Sequence, residues 1–323
     1  RTMRILPRSL ALSTLCFAGA ALCFSPGSLI SQDNPEVSET SPPAIELKRH
    51  AYASPRMKAI LKRGVLRVGM HAVYPPFRVR AADADSVGPV PASTIAEKEY
   101  PGIDVELAHA LARELDAQLE IRPGNIRMLM SMVQKGEVDL ALGGISSTLD
   151  RARYVQFADP YIVTTPALLL SRSSLPDVSQ SEDFDRRRFT NIGDLKRLSG
   201  VTVGVVRGTT TARLLKEDAG FRRHDLKEFP NRSSLLAAYD GNDIAALAAD
   251  AIYIRALVLA NPAYLGRAVA LTQPYSEEHL SPITAYGDPE FLQILNFFLK
   301  EMGRDGFLKQ VELKYLENND WVN

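Results

Sequence analysis

Val138-Asp139-Leu140-Ala141-Leu142 is a short apolar run that ends on Gly143-Gly144, and Ile145-Ser146-Ser147-Thr148 follows directly, with Arg151 one turn further on. A strand that breaks on glycines and passes into a hydroxyl-rich helix start is the strand-to-helix junction of an α/β sheet. The pattern recurs downstream: Val201-Thr202-Val203-Gly204-Val205-Val206 predicts a buried strand, and Gly208-Thr209-Thr210-Thr211 opens the helix after it.

Strands and helices alternate on both sides of these junctions. Upstream, Val65-Leu66-Arg67-Val68-Gly69 and Leu119-Glu120-Ile121 predict strands. Leu107, Ala108, Leu111 and Leu115 recur at helical spacing between them. Asn125 is placed to cap a helix whose Met128, Leu129, Met132 and Val133 form a core-filling face. Downstream, residues 233–239 and 251–259 predict helices around a strand at 244–249, and the C-terminal stretches 291–299 and 307–316 are helical. The alternation predicts an α/β fold of two lobes, each a mainly parallel sheet flanked by helices, with a cleft between them.

Composition removes several function classes. The 323 residues carry 38 Lys plus Arg against 38 Asp plus Glu, which does not fit a polyanion binder, so no nucleic acid is expected. The two cysteines, Cys16 and Cys23, both fall in the first 25 residues and support neither a disulfide scaffold nor a Cys-rich zinc site. That segment has Arg1, Arg4 and Arg8 ahead of an apolar stretch from Leu10 to Phe24, so residues 1–25 read as a secretory signal peptide, with a retained membrane anchor as the alternative. Its removal takes three arginines from the 38 basic residues and no acid, which leaves a mildly acidic, cysteine-free chain. Residues 26–56, with Pro26, Pro35, Pro42, Pro43 and Pro55 among polar residues, read as a disordered linker. The polar stretch 80–100 and the charged stretch 171–190, with Arg186-Arg187-Arg188 beside Asp183 and Asp185, read as solvated loops.

The two junctions carry the candidate chemistry. Helix starts after strands present free N–H groups to an anion, Ser146 and Thr210 add hydroxyls, and Arg151 offers a planar fork matched to a carboxylate. Each cluster alone also fits ordinary helix capping; one in each lobe points to a carboxylate pinned across the cleft. Asp250, after the strand 244–249, is either the partner of a ligand amine or the cap of the helix at Ala251. Tyr74-Pro75-Pro76-Phe77 offers an aromatic wall. No nucleophile elbow, P-loop or dinucleotide fingerprint is present. The histidines His50, His71, His109, His224 and His279 show no metal-ligand spacing, and His71 alone falls near the cleft.

From about Ile60 to Trp321 these pieces resemble the family 3 extracellular solute-binding proteins, the receptors of polar amino acid ABC importers. The carrying motifs are Gly64-Val65-Leu66-Arg67-Val68-Gly69 with Tyr74-Pro75-Pro76-Phe77, Gly102-Ile103-Asp104-Val105-Glu106-Leu107-Ala108, and Lys135-Gly136-Glu137-Val138-Asp139-Leu140-Ala141. Ser147-Thr148-Leu149-Asp150-Arg151-Ala152-Arg153, Phe157-Ala158-Asp159-Pro160-Tyr161 and Val203-Gly204-Val205-Val206-Arg207-Gly208-Thr209-Thr210 complete them. The resemblance implies a periplasmic-binding-protein-like clamshell of type II. Lobe 1 would hold residues 57–165, lobe 2 residues 166–273, and residues 274–323 would return to lobe 1. The chain would cross near Val163–Ala167 and again near Gln273–Ser276.

In similar proteins the arginine matching Arg151 holds the ligand carboxylate, groups matching Gly144, Ser146 and Thr210 assist it, the acid matching Asp250 takes the ammonium, and the aromatic matching Tyr74 packs on the side chain. Phe77 and His71 complete the expected ligand-binding set. Two departures stand out: His71 replaces an Asp common in relatives, which favours an acidic or neutral ligand side chain, and Ala245 stands where an Asp is common. The expected function is a monomeric, periplasmic or otherwise extracytoplasmic receptor, without cofactor or metal, that closes on a free amino acid and delivers it to the membrane permease of an ABC importer. The alternatives are a secreted dehydratase- or lyase-like enzyme on the same scaffold, with His71 as general acid, and a ligand-sensing module.

Overall fold

The computed structural model describes residues 52–71, 74–78, 101–175 and 189–317. The leader with Cys16 and Cys23, most of the 26–56 linker, the 80–100 loop and Arg186-Arg187-Arg188 lie outside the described residues. Helix α1 (Pro55–Arg63) starts the described fold; Pro55 suits a first helical turn, where its missing N–H would have no partner. Ser54 caps α1 through the Met57 N–H and donates to Asp288 at 2.7 Å, so packed chain begins ahead of Met57.

In the first lobe α1 leads into β1 (Val65–Met70), α2 (Ile103–Glu114), β2 (Gln118–Pro123), α3 (Ile126–Gln134), β3 (Leu140–Ala141), α4 (Leu149–Ala152) and β4 (Gln156–Phe157). Asn125 caps α3 by accepting from the Met128 N–H, as its position predicted, and Leu129 and Val133 bury the inner face. The chain then crosses through β5 (Ile162–Thr164) into β6 (Pro166–Ser171) of the second lobe. There follow β7 (Thr202–Val206), α5 (Thr210–Glu217), β8 (Asp225–Phe229), α6 (Arg232–Asp240), β9 (Ala246–Asp250), α7 (Ala251–Ala260), α8 (Tyr264–Arg267) and β10 (Ala268–Leu271). It returns through β11 (Glu278–Leu280) to β12 (Ile283–Thr284), α9 (Pro289–Arg304) and α10 (Phe307–Leu316).

The strand orders are β2-β1-β3-β12-β4 and β10-β6-β9-β7-β8, and β5 pairs with β11 between them. The expectation of mainly parallel sheets needs one correction, because both are mixed. In the first sheet β12 runs antiparallel to β3 and β4, and in the second β6 runs antiparallel to β9 and β10. The reason is topological. The parallel strands point their carboxyl ends at the opposite lobe, so a strand arriving from that lobe enters at this end and runs the other way.

Both crossings are tied to one residue. Buried Thr165 accepts at Oγ1 from the backbone N–H of Tyr275 at 2.9 Å and of Ser276 at 3.3 Å, and its carbonyl accepts from Ala251, the first residue of α7. Residues His50–Asn323 form one compact unit. Its largest apolar cluster runs from Leu66, Val68 and Leu111 of the first lobe to Leu247, Ile254 and Leu257 of the second, and α10 packs against α2, α7 and α9.

Candidate functional site

A cavity of about 1110 Å3 lies between the carboxyl ends of the two sets of strands, where helix starts from both lobes converge. Its lining includes His71, Gly144, Ser146, Arg151, Thr210 and Asp250, six of the eight residues the sequence singled out. Tyr74 and Phe77 do not line it. Both are fully buried, and their rings lie 4.8 Å apart beneath Gly144.

That packing explains the glycine. Gly144 sits at φ +56°, a left-handed conformation, and a Cβ there would stand 2.8 Å from Tyr74 and 2.9 Å from Phe77. Its N–H donates to the Tyr161 hydroxyl at 3.2 Å, and Tyr161 in turn donates to the buried Asp104 carboxyl at 2.6 Å. Burial pushes Asp104 up to about 7, with Tyr161 and the Gly143 and Gly144 backbone acting against the rise. Asp104 and Tyr161 therefore position the glycine corner from behind.

The hydroxyls divide into two jobs. Thr148 caps α4 and Thr209 caps α5, each accepting from a backbone N–H, so ordinary capping accounts for these two. Ser146 and Thr210 do something else. One from each lobe, they stand 3.4 Å apart, and both donate to the same oxygen of Glu278, at 2.9 and 2.8 Å. Glu278 opens β11, and the site loop runs along that strand: Ser146 bridges Leu280, and the Ser147 N–H donates to the His279 carbonyl.

Arg151 spans the cleft. Its guanidinium donates to the Ser146 carbonyl at 2.8 Å and, across the lobes, to the Gly208 carbonyl at 3.3 Å. Burial lowers its pKa, and the Glu278 charge works against that. Asp250 stands at the N-cap position of α7 but makes no side-chain capping bond, so its carboxyl is left to the cavity. Burial, reinforced by Glu278, raises Asp250 well above the usual carboxylate range. His71 goes the other way. Burial and then the charges of Arg232 and Arg151 depress it to about 3, which favours the neutral imidazole at physiological pH.

Two cleft residues escaped the sequence reading. Arg232, the first residue of α6, lines the cavity, and its guanidinium lies 3.2 Å from the centre of the Tyr74 ring in the opposite lobe. Glu278 is the other. Each sits in a polar stretch, Pro230-Asn231-Arg232-Ser233 and Ser276-Glu277-Glu278-His279, that gives no periodic signal. Among the described residues no group of three or more His, Cys, Asp or Glu gathers to hold a metal.

The geometry can therefore hold a small zwitterion between a guanidinium and a carboxyl, with hydroxyls from both lobes alongside. Several known proteins are similar to this chain. The "Probable histidine-binding protein" of Neisseria gonorrhoeae is 25% identical over 251 residues, 78% of this chain and 82% of that one. The "Arginine-binding extracellular protein ArtP" of Bacillus subtilis is 26% identical over 77% of this chain and 85% of its own length. "Cyclohexadienyl dehydratase" of Pseudomonas aeruginosa is 33% identical, over only 37% of this chain. Among solved structures, the "ancestral amino acid-binding protein AncCDT-1, a precursor of cyclohexadienyl dehydratase" superposes with a TM-score of 0.63 at 26% identity, covering 82% of this chain and all of that one. The profile of the bacterial extracellular solute-binding proteins, family 3, matches residues 66–318, and the chain belongs to that family.

Proposed function

We propose that this protein captures a free amino acid in the cleft by hinge closure and hands it to the permease of an ABC importer on the outer side of the cytoplasmic membrane. The observation that carries the reading is the opposition of Arg151, from the first lobe, and Asp250, from the second, across one cavity. Arg151 takes the α-carboxylate; the Ser146 and Thr210 hydroxyls help by leaving Glu278, to which both donate, and the Gly144 N–H by leaving Tyr161. Asp250 takes the α-ammonium. A bound ammonium favours the ionised carboxyl and offsets the burial that otherwise keeps Asp250 protonated.

No covalent step is needed. The ligand touches groups from both lobes only when they are together, so its differential affinity for the closed state drives closure. The permease is supported by a similar protein of Bacillus subtilis, the "ABC transporter glutamine-binding protein GlnH", 21% identical over 68% of this chain and 74% of its own length. None of the described helices is long and apolar enough to cross a membrane.

The second reading, an enzyme on the same scaffold, has the dehydratase similarity behind it, confined to 121 residues. Its expected general acid, His71, is pushed toward the neutral imidazole by burial first and by Arg232 and Arg151 after it. Isothermal titration of the purified protein against the twenty amino acids tests the first reading: binding of at least one at micromolar affinity or tighter is expected, and binding of none would overturn it.

A further inference from the structure

Arg232 makes no hydrogen bond or ion pair with any described residue; its neighbours are the rings of Tyr74, at 3.2 Å, and Tyr253, at 5.7 Å. Burial lowers its pKa only to about 10, so the guanidinium remains charged at neutral pH. A half-buried guanidinium at the cavity wall, stacked on a ring and with no hydrogen-bond partner among the described residues, leaves its N–H donors open to an anion.

Three other cations of the cleft already have protein partners. Arg151 already donates to two carbonyls and has Glu278 beside it. Arg122 and Lys135, also on the lining, are paired with Glu120 and Glu137. Among the described side chains that line the cavity six are cationic and two acidic, so the wall as a whole favours an anion. His71 is depressed first by burial and then by the charges of Arg232 and Arg151, so both guanidiniums act on one imidazole.

Arg232 also closes one option. The face of Tyr74 that a ligand side chain would use already carries a guanidinium, and a second cation cannot stack there without like-charge repulsion. We infer that Arg232 is a specificity-determining residue, whose guanidinium receives a second carboxylate at the end of the ligand side chain, and that the ligand is therefore an acidic amino acid. The inference rests on the amino acid-receptor reading. It assigns Arg151 and Asp250 to the part common to all amino acids and Arg232 to the part that differs. A bidentate guanidinium–carboxylate pair in a desolvated site is among the stronger polar contacts a protein makes.

The test is calorimetric titration of the wild type with L-glutamate, L-aspartate, L-glutamine, L-asparagine and L-arginine, repeated on Arg232→Gln and Arg232→Lys. The wild type should bind one of the two acids at least tenfold tighter than its own amide and than L-arginine. Arg232→Gln should bring the acid-to-amide ratio to about one, and Arg232→Lys should restore part of it. Loss of affinity for acid and amide alike in Arg232→Gln would mark Arg232 as a clamp on Tyr74 and overturn the inference. Equal or tighter binding of L-arginine or an amide by the wild type would also overturn it, while leaving the receptor reading intact. Binding of none of the twenty amino acids would remove the receptor reading and this inference with it.

Discussion

Asp104 shows how much a single side chain behind the cleft can govern. It lies in the first turn of α2, is 1% exposed, and reaches the ligand side only through Tyr161 and the Gly143-Gly144 corner. Burial raises its pKa to about 7, against about 3.9 for an unfolded chain, so between these values the folded protein binds more protons than the unfolded one. The stability due to the neutral form is complete below about pH 4 and is lost as pH rises through 7. Asp104→Asn keeps an acceptor for Tyr161 and removes the titration. Scanning calorimetry at several pH values should show the wild-type Tm falling relative to that of the variant as pH goes from 5 to 8. A constant difference across that range would mean that Asp104 is ionised throughout. The pair Asp104 and Tyr161 was visible in the family-like motifs, but its role was not. Only their approach across 57 positions of sequence makes the hydrogen bond.

Among the elements, legibility followed length and burial. The runs that became β1 and β7, and the helices α2, α3 and α9, carry enough apolar residues at one period to be read directly. Strands β4, β11 and β12 have two or three residues and exist only through distant partners, Gln156 and Phe157 with Thr284 and Ile283, and Ile162 with Leu280. A window along the sequence cannot see such pairing, and so the mixed character of both sheets was missed. The same blindness hid Glu278. Its place beside Ser146 and Thr210 depends on β11 lying against β5 and the site loop. Glu278→Gln tests what that strand contributes. In the proposed binding mode the ligand ammonium needs Asp250 ionised, so affinity should climb with pH up to the pKa of Asp250, which Glu278 helps to raise. Removing the Glu278 charge should move the midpoint of that climb to lower pH, read from titrations across pH 5 to 8. A midpoint unchanged or moved upward would show that Glu278 does not act on Asp250.

At the scale of the molecule, the two lobes are joined by more than a hinge. The chain crosses between them twice at Thr165, and one apolar cluster runs through α7 and α10 into both. Unfolding either lobe alone would expose apolar surface of the other, so one cooperative thermal transition is expected. A ligand held between the lobes binds only the folded chain and stabilises it by RT ln(1 + [L]/Kd), about 2.7 kcal/mol at one hundred times Kd. For a folded unit of this size that corresponds to a rise in Tm of about 5 °C. Arg151→Lys should leave the ligand-free Tm within a few degrees, because an ammonium can still donate to one of the two carbonyls that Arg151 holds. It should also remove most of the ligand-induced rise at the same ligand concentration, because a point charge cannot reproduce the paired N–H donors that match a carboxylate. An undiminished rise in Arg151→Lys would mean that the carboxylate is held elsewhere in the cavity. The α-carboxylate assignment would then pass to another guanidinium on the lining, Arg232 first among them, and the division of labour between Arg151 and Arg232 would have to be reversed.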